Sequence, residues 1–189
     1  MRTIESKLPG LKIVEPAVNG DERGFFSETY RRSWHEEMGV PEGEEFVQDN
    51  HSRSKHGVVR GMHFHVGKGV AKLVRCARGR IVDVNVDLRR GSPTYGKWEA
   101  VELDGEGLRE LYVPIGFAHG FCVLSEVADV IYKQTAYYDP AVERGIAWND
   151  PEIGIEWPLP EGDLVVSERD EAAPRLSEVA DELPFVYEG

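Results

Sequence analysis

Cysteine is scarce in this chain: Cys76 and Cys122 stand alone, far apart, with no CxxC or Cys/His cluster. That excludes a disulfide framework and a thiolate zinc knuckle. Both lie in apolar, β-branched runs and read as buried small hydrophobes in a reducing compartment. No apolar run approaches the roughly 18 residues of a membrane span. The segment MRTIESKLPG lacks the apolar stretch of a signal peptide, so a cytoplasmic, soluble protein is expected. Positive charge is also short, since 22 Lys and Arg face 34 Asp and Glu for a net charge of −12. Such a field repels nucleic acid and anionic membranes, and neither is an expected partner. A small anionic ligand would need arginines gathered locally, and Arg23, Arg60, Arg75, Arg78 and Arg80 are the candidates. Internal repeats, low-complexity tracts and linkers are absent, and 189 residues with 41% apolar content suit one domain over 1–189.

What the chain has in quantity is short β-branched segments bounded by Gly, Pro, Asp or Asn. LKIVEP, EEFVQDNHS, GVVRGMHFH, AKLVRCARG, RIVDVNVDLR, WEAVEL, ELYVPIG, GFCVLSE, DVIYKQTAYY and GIEWPL read as strands. In RIVDVNVDLR, Val82, Val84, Val86 and Leu88 alternate with Asp83, Asn85 and Asp87, the pattern of a half-buried antiparallel strand. Closely spaced strands with turns such as RRGSPTYG and LDGEG predict an all-β antiparallel sandwich or jelly roll rather than a parallel sheet. Short helices are expected only at SETYRRSWHEEMG and RDEAAPRLSEV.

Two segments carry chemistry. In GVVRGMHFH the strand period of two sends His63 and His65 to one face and Met62 and Phe64 to the other. PIGFAHGF answers with Pro114, Gly116 and His119 in the pattern P-x-G-x-x-H. Together they resemble the paired motifs of the cupins, small β-barrels that work on small molecules in the barrel mouth. Three converging histidines would suit a transition metal. However, the places where metal cupins put a Glu hold Gly69 and Val70, and the charged neighbours are Lys68 and Lys72. An ammonium beside a cation is repelled in a low-dielectric pocket, so the set reads as an organic acid/base site with no metal. His65 reads equally as a packed interior histidine.

Reading outward from His63, the blocks DERGFFSETY, VQDNHSRS, VVRGMHFH, AKLVRCARG, VDLRRGSPTYG, VPIGFAHGF, YKQTAYYDP, ERGIAWNDPEIGIEWP and VSERDEAAPRL are similar, in order and spacing, to the dTDP-4-dehydrorhamnose 3,5-epimerase family. The resemblance covers almost the whole chain. It implies a cupin-like jelly roll with short flanking helices and a cofactor-free isomerase acting on a thymidine diphosphate sugar that carries a ketone at carbon 4. His63 matches the family's base, and Asp170 matches the carboxylate that orients it. Tyr132 matches the proton donor on the opposite face, and Lys72 the cation near the ketone oxygen.

The resemblance also implies the binding residues. Arg23 and Arg60 would grip the diphosphate, and Glu28, Gln48 and Asn50 would contact the nucleotide. Phe26 and Tyr138 would sandwich the thymine, His119 would contact the sugar, and Glu143 and Arg169 would make weaker contacts. A homodimer is implied as well, with the DERGFFSE segment reaching into the partner's site. From the residues alone, Asp170 would be a solvated cap, Lys72 a strand-end lysine, and Tyr132, Phe26 and Tyr138 packing aromatics.

The sequence departs from the family at three places. His65 stands where another polar residue is frequent, Gln134 where a cysteine is common, and the loop from Val66 to Ala71 is one residue short. These leave open a monofunctional epimerase acting at carbon 3 or carbon 5 in another deoxysugar pathway. A metal-dependent cupin enzyme and a non-catalytic sugar-nucleotide binding module are the remaining alternatives.

Overall fold

Nine of the ten β-branched segments form strands, and every strand pairing within the sheets is antiparallel. The computed structural model describes residues 1–188. Its strands are β1 (Arg2–Glu5), β2 (Lys12–Glu15), β3 (Val18–Asp21), β4 (Gly24–Ser27), β5 (Gln48–Lys55), β6 (Val59–His65), β7 (Lys72–Arg78), β8 (Arg80–Asp87), β9 (Trp98–Asp104), β10 (Glu110–Val113), β11 (Phe117–Val123), β12 (Val127–Gln134) and β13 (Glu143–Gly145). Three one-turn helices, α1 (His35–Met38), α2 (Glu168–Glu171) and α3 (Leu176–Val179), flank them. One sheet runs β1-β2-β10-β7-β12-β5, a second β13-β6-β11-β8-β9, and β3 with β4 forms a separate hairpin. This is an antiparallel cupin-like jelly roll. Among the described residues no helix is long and apolar enough to cross a membrane.

The main core lies between the two large sheets, since its buried members come from both: Val74, Leu111 and Val130 from one, Ile81, Leu103 and Phe121 from the other. Burying each such side chain contributes about 1.5–3 kcal/mol. A second cluster covers the outer face of the five-stranded sheet. There Met62, Phe64, Val84 and Val86 pack against Ile146, Leu176, Leu183 and Phe185 of the C-terminal segment. That segment therefore crosses the back of β6, and α2 comes to lie beside it.

Several expectations are corrected. RIVDVNVDLR is not half-buried, because Asp83, Asn85 and Asp87 are 0% exposed. Its valines face the C-terminal segment, so the polar row points inward rather than to water. GIEWPL is not a strand. Ile153 packs on the outer cluster with Ile155 and Trp157 partly buried beside it, and Trp157 Nε1 donates to the Trp148 carbonyl at 2.9 Å, so the segment is held by side chains rather than by a ladder. SETYRRSWHEEMG shrinks to a 3-10 turn (Arg32–Trp34) and α1, which Gly39 ends in the left-handed conformation at φ 82°. RDEAAPRLSEV divides into α2 and α3 around Pro174, which cannot donate to a helix. Strands β1, β3, β4 and β13 were not anticipated. They are three or four residues long, too short for a clear period.

Candidate active site

Antiparallel pairing of β6 with β11 sets His63 opposite His119, and two glycines make the approach close enough. A Cβ on Gly61 would meet Gly120 Cα at 2.5 Å, and one on Gly120 would meet Met62 Sδ at 2.7 Å and the Arg60 carbonyl at 2.8 Å. The ladder shifts register between His119 and Phe121 at this crossing. His63 and His65 face the barrel interior as the strand period requires, while Met62 and Phe64 face the outer cluster.

The interior opens into a cavity of about 510 Å³. His63, Asp170, Tyr132 and Lys72 all line it, as do Asn50, Arg60, His119, Tyr138, Glu143 and Arg169. Asp170 is buried at 6% exposure, the reverse of a solvated cap. The Ser167 hydroxyl caps α2 by accepting from the Asp170 amide at 3.2 Å. That turn delivers the carboxylate to His63, whose Nε2 lies 2.7 Å from Asp170 Oδ1. Burial alone would raise the Asp170 carboxyl, but hydrogen bonds from His63 and the Gly61 amide, with Ser167, outweigh it and hold the group below its ordinary value. An ionised Asp170 makes His63 Nε2 the protonated nitrogen and leaves the ring's lone pair on Nδ1.

A second carboxylate–histidine pair lies deeper. Asp83 Oδ2 accepts from His119 Nε2 at 2.7 Å, so His119 Nδ1 is an acceptor, and Lys72 Nζ donates to it at 3.4 Å. Burial lowers the Lys72 amine to about 8, against the opposing pull of Asp83 and Glu143. Burial likewise lowers His119, more than the Asp83 charge raises it. Asp83 was not singled out from the sequence. The alternating polar row on β8 was the available signal, and it was assigned to the solvent face.

Tyr132 enters from β12 in the six-stranded sheet, across the barrel from His63 on β6. Burial raises its phenol above the ordinary value. On β13, Glu143 pairs with Arg169 at 2.6 Å and accepts from the Tyr138 hydroxyl at 3.2 Å. Burial would raise Glu143, yet the Arg169 hydrogen bond prevails and lowers it. Gln48 stands one layer back: its Nε2 donates to Asn50 Oδ1 at 2.9 Å, and its Oε1 accepts from the Tyr138 amide at 2.8 Å. Arg60 reaches the mouth, with its Nε donating to Ser54 Oγ at 3.0 Å.

Four of the expected binding residues do not line this cavity within the chain: Gln48, set behind Asn50, and three near the β3–β4 hairpin. Arg23 pairs with Asp21 on the β3–β4 hairpin, and Glu28 pairs with Arg31. Phe26 is 69% exposed. Among the described residues no group of three or more His, Cys, Asp or Glu is arranged to hold a metal ion. Two of the three cavity histidines are instead joined to carboxylates.

A family described as dTDP-4-dehydrorhamnose 3,5-epimerase matches residues 5–178. A relative so named from Salmonella typhimurium is 50% identical over 182 residues, covering 94% of this chain and 97% of its own. A dTDP-4-dehydrorhamnose 3-epimerase from Streptomyces niveus is 42% identical, covering 96% of this chain and 86% of its own. Among solved structures, dTDP-6-deoxy-D-glucose-3,5-epimerase from Legionella pneumophila in complex with dTDP-4-keto-L-rhamnose superposes with a TM-score of 0.94 at 44% identity, covering 100% of this chain and 99% of that one.

Proposed function

The chain belongs to the dTDP-4-dehydrorhamnose 3,5-epimerase family, and from that premise we propose that it is an isomerase converting dTDP-4-dehydro-6-deoxy-D-glucose to dTDP-4-dehydro-L-rhamnose, for dTDP-L-rhamnose biosynthesis. The hydrogens on carbons 3 and 5 flank a ketone, so removing either leaves an enolate. Inversion returns the same hydrogen count with no net oxidation, and acid–base groups suffice without a cofactor. The observation that carries the assignment is the His63–Asp170 pair, 2.7 Å apart, facing one cavity with Lys72 and Tyr132.

His63 Nδ1 takes the proton from carbon, the C–H electron pair becomes a double bond to carbon 4, and the carbonyl π pair moves onto the carbon 4 oxygen. Asp170 stabilises the resulting imidazolium and fixes its orientation. The Lys72 ammonium neutralises the enolate oxygen in a site shielded from water. Tyr132 returns a proton to the opposite face, which inverts the centre; solvent then takes the proton from His63 and restores the phenol, and the same groups serve the second carbon. Arg60 binds the diphosphate, Tyr138 stacks on the thymine, Asn50 contacts the nucleotide with Gln48 holding its side chain and the Tyr138 amide in place, and His119 contacts the sugar while it orients Lys72. Glu143 and Arg169 brace Tyr138 at the mouth.

Arg23, Phe26 and Glu28 complete the site of a second copy. This is supported by their absence from the lining of their own chain's cavity, by the exposure of Phe25 at 62% and Phe26 at 69% on a free hairpin, and by the half-exposed Tyr138 at the cavity. A homodimer with exchanged hairpins would cover these apolar faces. The reaction is assigned to the cytoplasm, where the buried free thiols of Cys76 and Cys122 stay reduced.

Inversion at carbon 3 alone is the second reading, favoured by the similarity to the Streptomyces niveus 3-epimerase. Proton NMR of dTDP-4-keto-6-deoxyglucose with the enzyme in heavy water decides between them. Deuterium with inversion at both carbons is the expected result. Labelling confined to carbon 3 establishes the second reading, and labelling at neither defeats both.

A further inference from the structure

His65 lines the same cavity as the base, and the reaction just described gives it no task. It is 5% exposed, and among the described residues neither ring nitrogen has a hydrogen-bond partner. Tyr138 meets its ring edge-on with centroids 6.3 Å apart. The charged and titratable groups that face it are Lys72 and His63, which disfavour a proton, and Glu143 and Asp139, which favour one. Burial, reinforced by Lys72 and His63, outweighs Glu143 and Asp139 and lowers the ring's affinity for a proton, so the imidazole is neutral near pH 7. A neutral imidazole offers one N–H donor and one lone pair, and leaving both unmade in a buried position is unfavourable.

That donor-and-acceptor pair selects its ligand. A ketone or phosphate oxygen can meet only the N–H, and a methyl group meets neither nitrogen, whereas a hydroxyl can meet either, accepting from the N–H or donating to the lone pair. His65 stands two residues beyond His63 on β6, about 6.6 Å along the strand. That is further than the separation of two carbons flanking one carbonyl, so a ring with its reacting carbons at His63 presents a substituent, not carbon 3 or 5, to His65. We propose that His65 hydrogen-bonds a hydroxyl of the substrate's sugar ring through one ring nitrogen and so determines which sugars the site accepts. The proposal rests on the epimerase reading and adds a specificity residue to it.

The test pairs substitutions with deletions of the hydroxyl. His65→Leu removes both hydrogen-bonding functions, and His65→Gln keeps a donor and an acceptor on an amide. Each is assayed with dTDP-4-keto-6-deoxyglucose and with its 2-deoxy and 3-deoxy counterparts, following hydrogen exchange in heavy water, and with dTDP alone for affinity. His65→Leu should lose about 10- to 100-fold in kcat/KM on the parent sugar while its dTDP affinity is unchanged, and His65→Gln should retain most activity. One deoxy sugar should be discriminated against by wild type and by His65→Gln but not by His65→Leu, the signature of a direct contact. Additive losses with both deoxy sugars overturn the proposal, as does an equal fall in dTDP affinity or an unchanged kcat/KM. If His65→Leu does not fold, His65→Met, unbranched and more adaptable, carries the same comparison. Failure of the epimerase reading is separate, because it would appear in the wild-type enzyme as absent exchange at both carbons.

Discussion

Lys72 opposes stability to chemistry within one residue. Burial lowers its amine from 10.5 to about 8. Below about pH 8 the group is charged in the folded and the unfolded chain alike, and the penalty for burying it is fully present. Between about 8 and 10.5 the unfolded chain holds a proton the folded one has lost, so stability from this group rises with pH. Lys72→Met should therefore raise Tm near neutral pH, by about 2–4 °C for each kcal/mol recovered in a domain of this size, while epimerisation is lost. In the wild-type enzyme kcat should fall as pH rises through about 8, where the ammonium that holds the enolate disappears. A Tm that drops in Lys72→Met, or a kcat flat across that range, would contradict this role. His63→Ala should lose roughly 10²- to 10⁴-fold in turnover with the melting curve preserved. Asp170, held below its ordinary value, contributes stability above the normal carboxylate range, and that contribution is lost as pH falls through its folded value. His63 was legible from His-x-His on a strand because the period of two fixes its face. Asp170 was legible only through the family resemblance, because its partner lies 107 residues away and nothing local in an acidic turn announces burial.

The strands themselves explain what else the sequence concealed. On β8 the alternation of valine with Asp83, Asn85 and Asp87 correctly identified a strand and its two faces. It could not tell which face met water, since the C-terminal segment covers the valine side. Inside a barrel that binds a polar ligand, the polar row belongs to the interior, and Asp83 becomes the residue that orients His119. Because the Asp83 charge raises the Lys72 amine, Asp83→Asn should move the alkaline limb of the kcat profile to lower pH. An unmoved limb would show that the two groups are not coupled. The crossing of β6 and β11 is the other decisive contact. Gly120→Ala forces a methyl group against Met62 Sδ and the Arg60 carbonyl, both inside 3 Å. It should cost stability of the order found for overpacked interiors, about 1–3 kcal/mol in denaturant melts, and lower kcat through displacement of His63. In the sequence Gly120 carried no signal of its own, because close approach of two backbones is a tertiary fact.

At the level of the whole molecule, the jelly roll supplies the two-sided geometry that epimerisation demands: His63 comes from one sheet and Tyr132 from the other. The exposed β3–β4 hairpin with Phe25 and Phe26 should find its cover on a second chain. Phe26→Ser should weaken dimers in sedimentation and reduce dTDP affinity, even though Phe26 is remote from its own cavity; a monomeric wild type with full affinity would remove this part of the account. The two-face mechanism itself is tested most directly by Tyr132→Phe. With the phenol gone, His63 still removes the proton and Lys72 still holds the enolate, so the proton returns from the His63 side. In heavy water, NMR should then show deuterium entering carbon 3 or carbon 5 with retained configuration, while net inversion falls far more than exchange. Exchange and inversion slowed equally would place Tyr132 in proton removal or enolate stabilisation and contradict an acid on the opposite face.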